Sequence, residues 1–144
     1  MSSATNEPRY LTALSRFARR AWMLLAVYWI ALIIGTHLPP QTLTAPDVEI
    51  SDKTIHLLAY CGLSFLAAVV WRSRFGKFKL LAGIGLLVGL SAFAAIDEYT
   101  QSYVGRSCDF GDWVFDVIGV AIGLVVFRAL LTIYDTWQAR LAAC

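Results

Sequence analysis

The chain is 144 residues long, 58% hydrophobic and only 15% charged, with a formal net charge of +2 and a mean hydropathy of +0.63. A soluble domain of this length would need more charged surface, so the composition excludes one. It gives no ground for nucleic-acid binding either, because most basic residues flank apolar stretches, where a bilayer accounts for them.

Four apolar stretches follow one another: residues 21–38, 54–71, 80–96 and 113–134. At about 1.5 Å per helical residue, each comes near the roughly 30 Å of a hydrocarbon layer. The prediction is all-α: a single integral membrane four-helix bundle. Residues 1–20 form an N-terminal segment, in which Tyr10, Leu11, Leu14, Phe17 and Ala18 set against Arg16, Arg19 and Arg20 predict an amphipathic lead-in. The first stretch reads as an uncleaved span, since no small-x-small site follows it and Ala45 is followed by Pro46. Pro39-Pro40 ends that span, because proline lacks the N–H donor and clashes with the preceding turn.

The second span opens with Ser51 or Asp52 as N-cap. Gly76 marks the tight loop to the third. Residues 99–111 are expected as a loop, with Asp109 capping the fourth helix and Asp112 at the capping-box position. Residues 135–144 are a tail. Gly85-x-x-x-Gly89 and Gly119-x-x-x-Gly123 permit close backbone approach, and predict that the third and fourth spans pack together, with homo-oligomerisation through the third also allowed.

Ten of the twelve Lys and Arg residues fall on one side of this topology. The positive-inside rule therefore predicts cytoplasmic N- and C-termini in a plasma-membrane protein. The two exceptions, Lys53 and Arg106, lie among acids on the other side. Trp29 is a mid-span packing residue. Cys61, Cys108 and Cys144 have no disulfide or metal spacing and read as unpaired thiols.

Two polar clusters stand out. Asp52, His56 and Tyr60 share one helix face at i, i+4 and i+8, with Lys53 beside them, so that Asp52 sits one turn above the imidazole. The second cluster is Asp97-Glu98-x-x-Gln101, then Arg106, Asp109, Asp112 and Asp116. Asp112 and Asp116 continue the stripe of Gly119 and Gly123 and should face neighbouring helices. A carboxylate at the depth of Asp116 carries an insertion cost of up to about 3 kcal/mol and calls for a partner, for which Arg106, Lys53 and His56 are candidates.

Together these motifs, Asp52-Lys53-x-x-His56-x-x-x-Tyr60 and Asp97-Glu98-x-x-Gln101-x-Tyr103…Arg106…Asp109-x-x-Asp112-x-x-x-Asp116, resemble the paired signature of VanZ-like membrane proteins over about residues 30–127. The family is named for a member associated with teicoplanin resistance. The resemblance implies a four-span fold with an outer-leaflet site formed by Asp52, Lys53, His56, Tyr60, Glu98, Gln101, Arg106, Asp112 and Asp116. The last of these positions is commonly Asn in the family. The expected function is binding of a cell-envelope amphiphile or lipid headgroup, with membrane lipid and a lipid-linked or lipoglycopeptide ligand as partners. Alternatives are a small membrane enzyme acting on a lipid-linked substrate, and a structural or partner-binding subunit. No catalytic nucleophile, metal motif or cofactor is predicted.

Overall fold

The computed structural model describes the backbone of residues 9–38, 52–106 and 108–143, with side chains from Arg19 onward. Its elements are α1 (Arg9–His37), α2 (Asp52–Phe75), α3 (Leu80–Gln101) and α4 (Phe110–Ala142), with a 3-10 turn, Ser102–Val104, after α3. No strand occurs among the described residues. Each helix is long and apolar enough to cross a membrane, over Arg19–His37, Asp52–Phe75, Leu80–Val104 and Phe110–Ala142. The all-helical, four-span expectation therefore holds.

The helix ends depart from the expected spans in three places. The lead-in is continuous with the first span, as α1 already begins at Arg9; apart from Arg19 and Arg20, the side chains that would make it amphipathic lie outside the described residues. So do Pro39-Pro40, Ala45, Pro46, Ser51 and Cys144. Helix α3 runs on through Asp97, Glu98 and Gln101, which were expected at or beyond the end of the span, because the bundle buries and hydrogen-bonds their side chains. At 33 residues, α4 is about 50 Å long and projects well past the roughly 30 Å hydrocarbon layer. The expected tail is thus mostly the end of a helix.

Chain reversals rest on two glycines. Gly76 has φ +67°, and its N–H donates to the Arg72 carbonyl at 3.0 Å, closing α2 in the left-handed conformation that glycine adopts without strain. Gly105 has φ +80° and delivers Arg106, whose N–H donates to the Gln101 carbonyl at 3.2 Å.

The most extensive helix pairing is α2 with α4, and the α4 glycines explain it. A Cβ at Gly119 would strike the Leu57 carbonyl oxygen, and one at Gly123 would strike Ser64 Oγ and the Cys61 carbonyl oxygen. In lipid, where apolar surface supplies little drive for association, such close backbone approach is what holds helices together. This corrects the expectation that the two glycine motifs join spans three and four. Gly85 and Gly89 are exposed, with nothing among the described residues within 4 Å of a Cβ built on either.

Helix α3 docks on α4 instead through Trp113, whose Nε1 donates to the Ser91 carbonyl at 3.1 Å. Helix α1 docks through Tyr28, whose hydroxyl donates to the Ala59 carbonyl at 2.9 Å, in space left by Gly62. The Trp29 and Phe93 rings meet edge-on, 5.0 Å between centroids, so Trp29 packs as expected. Ile30, Ile34, Leu81, Val88 and Val125 face outward, as lipid contact requires. The buried stripes of α2, α3 and α4 are apolar towards one end of the bundle and ionisable towards the other.

Candidate functional site

The ionisable end is where α1 and α3 finish and α2 and α4 begin. Asp52 and Asp112 occupy the first turns of α2 and α4, where the helix dipole favours carboxylates. Asp97 and Glu98 lie in the last turns of α3, where the dipole disfavours them, and both are 3% exposed. They persist there only because the bundle supplies donors.

Asp97 is the hub. Its Oδ2 accepts from the Tyr60 hydroxyl at 3.1 Å and from Gln101 Nε2 at 3.4 Å. Its Oδ1 accepts from Thr36 Oγ1 at 3.2 Å, and His37 Nδ1 lies 3.8 Å from the same oxygen. His37 Nδ1 is also 2.9 Å from the Ile33 carbonyl one turn back, and His37 Nε2 is 3.1 Å from Thr100 Oγ1. Thr36, His37 and Thr100 are thus neighbours of the cluster that the sequence reading omitted, while Asp97, named in the second polar cluster, was left out of the nine predicted site residues. The available signal was a polar Thr36-His37 pair in the last turn of an otherwise apolar helix.

Deeper in the bundle, His56 Nδ1 lies 3.0 Å from Asp116 Oδ1. Of the three partners considered for Asp116, the fold selects His56. Asp52, one turn above the imidazole, faces Arg106 instead: Nη2 donates to Asp52 Oδ2 at 2.7 Å, and Nη1 to the Leu38 carbonyl at 3.4 Å. Lys53 bridges two acids of α4, donating to Asp109 Oδ2 at 2.9 Å and to Asp112 Oδ1 at 3.0 Å. The Lys53 ammonium, seconded by the Gly111 N–H, holds the Asp109 carboxyl below its usual range.

Asp109 caps α4 as expected, accepting from the Gly111 N–H at 2.7 Å. The capping box does not form. Its reciprocal bond, from the Asp109 N–H, goes to Glu98 Oε1 at 2.6 Å, because Asp112 is engaged by Lys53. Glu98 Oε2 accepts from Gln101 Nε2 at 3.4 Å.

All nine predicted site residues therefore gather at one end of the bundle. His56 and Arg106 do not touch; they are joined through Asp52, which sits between the guanidinium and the imidazole, one of its oxygens lying within 4.8 Å of donor atoms of His56 and Asp112. His56, Tyr60, Glu98, Gln101, Asp112 and Asp116 are buried, while Asp52 and Asp109 line the surface.

A model of the VanZ/LLP1 family matches residues 8–132. The chain belongs to the VanZ/LLP1 family. The match reaches further than the resemblance over residues 30–127, taking in the whole of α1 from its start at Arg9. Family membership and four spans make this a multi-pass membrane protein. No curated protein and no solved structure matches the chain. Cys61 and Cys108 are free thiols.

Proposed function

We propose that this VanZ-like protein lies in the plasma membrane with both termini cytoplasmic, and that its ionic cluster binds the polar headgroup of a cell-envelope amphiphile at the extracytoplasmic face. The orientation is supported by the charge pattern. Ten of twelve Lys and Arg residues belong to the opposite end, and short basic loops are retained in the cytoplasm.

The observation that carries the binding reading is the pairing of the two remaining cations. Arg106, 7% exposed, is held by Asp52, whose side chain is 53% exposed. Lys53 is held on its outer side by Asp109, 49% exposed. Each cation thus has a surface carboxylate as partner, one that a phosphate or carboxylate of a ligand can replace, while the cation keeps its place. Arg106 offers forked donors to such an anion and Lys53 a point charge. The apolar part of an amphiphile would lie along the exposed rings of Tyr99, Tyr103 and Phe110, at the depth where aromatic residues favour the membrane interface.

A structural clamp alone explains the cluster poorly. Well-packed apolar residues in place of buried ion pairs are commonly as stable or more so, and lipid makes ionisable groups costlier still. The test is equilibrium binding of the purified protein to three probes: phosphatidylglycerol vesicles, a polyprenyl phosphate and a lipoglycopeptide. Binding to at least one, weakened about tenfold or more by Arg106→Ala, supports the reading. Affinity unchanged in that variant, or no binding to any probe, refutes it.

A further inference from the structure

We infer that His56, Glu98 and Asp116 form a binding site for a divalent transition-metal ion of the zinc or manganese class, on evidence independent of the headgroup reading. The three residues come from α2, α3 and α4, all are buried, and one donor atom from each lies within 4.8 Å of the others. An ion bonded at about 2.1 Å keeps its donors no more than about 4.2 Å apart, so small side-chain rotations close the set. One imidazole with two carboxylates suits zinc or manganese better than calcium or magnesium, which prefer all-oxygen sites.

Charge makes the case specific. Of the six carboxylates at this end among the described residues, Asp52, Asp109 and Asp112 already have Arg106 or Lys53 as a partner. Asp97 has Tyr60, Gln101 and Thr36 as donors, with His37 nearby. Glu98 and Asp116 have no Lys or Arg within ion-pair distance among the described residues; Asp116 has only the His56 imidazole. Two buried carboxylates sharing one imidazole are short of positive charge, and a divalent ion supplies it.

A second observation points the same way. Among the described residues, Asp116 Oδ2 is the buried side-chain oxygen that has no hydrogen-bond partner, on a residue that is 0% exposed. Buried acceptors are rarely left unused, and a metal bond would use this one. The remaining contacts resemble the outer shell that orients metal ligands: the Asp109 N–H and Gln101 both donate to Glu98. A competing trio, Asp52, His56 and Asp112, also meets the distance criterion. It shares His56, but its two acids are already matched by Arg106 and Lys53. The inner trio is therefore the site.

The test is metal content of the full-length protein in detergent, with any affinity tag removed, followed by zinc and manganese titration of chelator-treated protein. Expected are one tightly held ion per chain, a lower thermal midpoint after chelation, and recovery on adding back zinc or manganese. Glu98→Gln and Asp116→Asn should weaken binding about tenfold or more, and Asp52→Asn by no more than about twofold. Should wild-type protein hold no stoichiometric metal and show no thermal shift with either ion, the site does not exist; these wild-type readings stand even where a variant fails to fold. Equal losses in Asp52→Asn and Glu98→Gln would also overturn the inner assignment.

Discussion

His56 Nδ1 and Asp116 Oδ1 lie 3.0 Å apart across the α2–α4 interface, with side chains only 2% and 1% exposed. This contact ties a buried imidazole of α2 to a buried carboxylate of α4, one turn from the glycine that brings their backbones close. It makes stability and site geometry inseparable at this point of the bundle.

Removing one partner leaves the other buried without compensation. His56→Leu should therefore lower stability by about 3 kcal/mol or more, whereas the double variant His56→Leu/Asp116→Leu should recover most of that loss. Thermal unfolding of chelator-treated protein in detergent measures both. Strictly additive losses would show that the two residues are not coupled.

The glycines give a contrast within one fold. Gly119→Val and Gly123→Val drive a side chain into the α2 backbone and should sharply reduce the yield of folded protein, since overpacking a close interface costs about 1–3 kcal/mol or more. Gly85→Ala and Gly89→Ala point into open space and should leave yield unchanged, with a small gain from helix propensity. Size-exclusion profiles of the four variants decide it.

Helix number and the polar stripe of α4 were legible from composition and spacing alone. Asp112, Asp116, Gly119 and Gly123 recur at helical intervals, so their shared face follows from geometry. Partner choice was not legible. Whether Asp116 meets His56, Lys53 or Arg106 depends on how α2 and α4 are rotated, which no local pattern encodes. The role of α1 was hidden for the same reason, because Thr36 and His37 reach Asp97 only through tertiary docking. The silent α3 glycines show the limit of a motif: close approach is permitted at Gly85 and Gly89, but among the described residues of the chain no atom comes within 4 Å of a Cβ built there.

Tyr60→Phe removes one of the three donors to Asp97 with little change in volume. A hydrogen bond to a charged acceptor contributes about 1.5–3 kcal/mol, so the variant should unfold at a lower temperature while keeping its helical content. Circular dichroism followed through a thermal ramp checks this, and an unchanged midpoint would show that the hydroxyl contributes nothing.

Orientation is testable with the native thiols. Cys108 is exposed beside the site, whereas Cys61 is half-buried in α2. In a Cys144→Ser background, a membrane-impermeant maleimide should label intact spheroplasts at Cys108. Labelling that appears only after permeabilisation would place the cluster on the cytoplasmic side.

Displacement of a surface carboxylate from Arg106 by a ligand anion is read from headgroup affinity in Asp52→Asn beside Arg106→Ala. With whichever of the three probes wild-type protein binds, freeing the guanidinium from its partner at 2.7 Å should tighten binding in Asp52→Asn, and Arg106→Ala should weaken it about tenfold or more. Asp52→Asn binding more weakly than wild type, or Arg106→Ala binding equally well, would rule out that displacement.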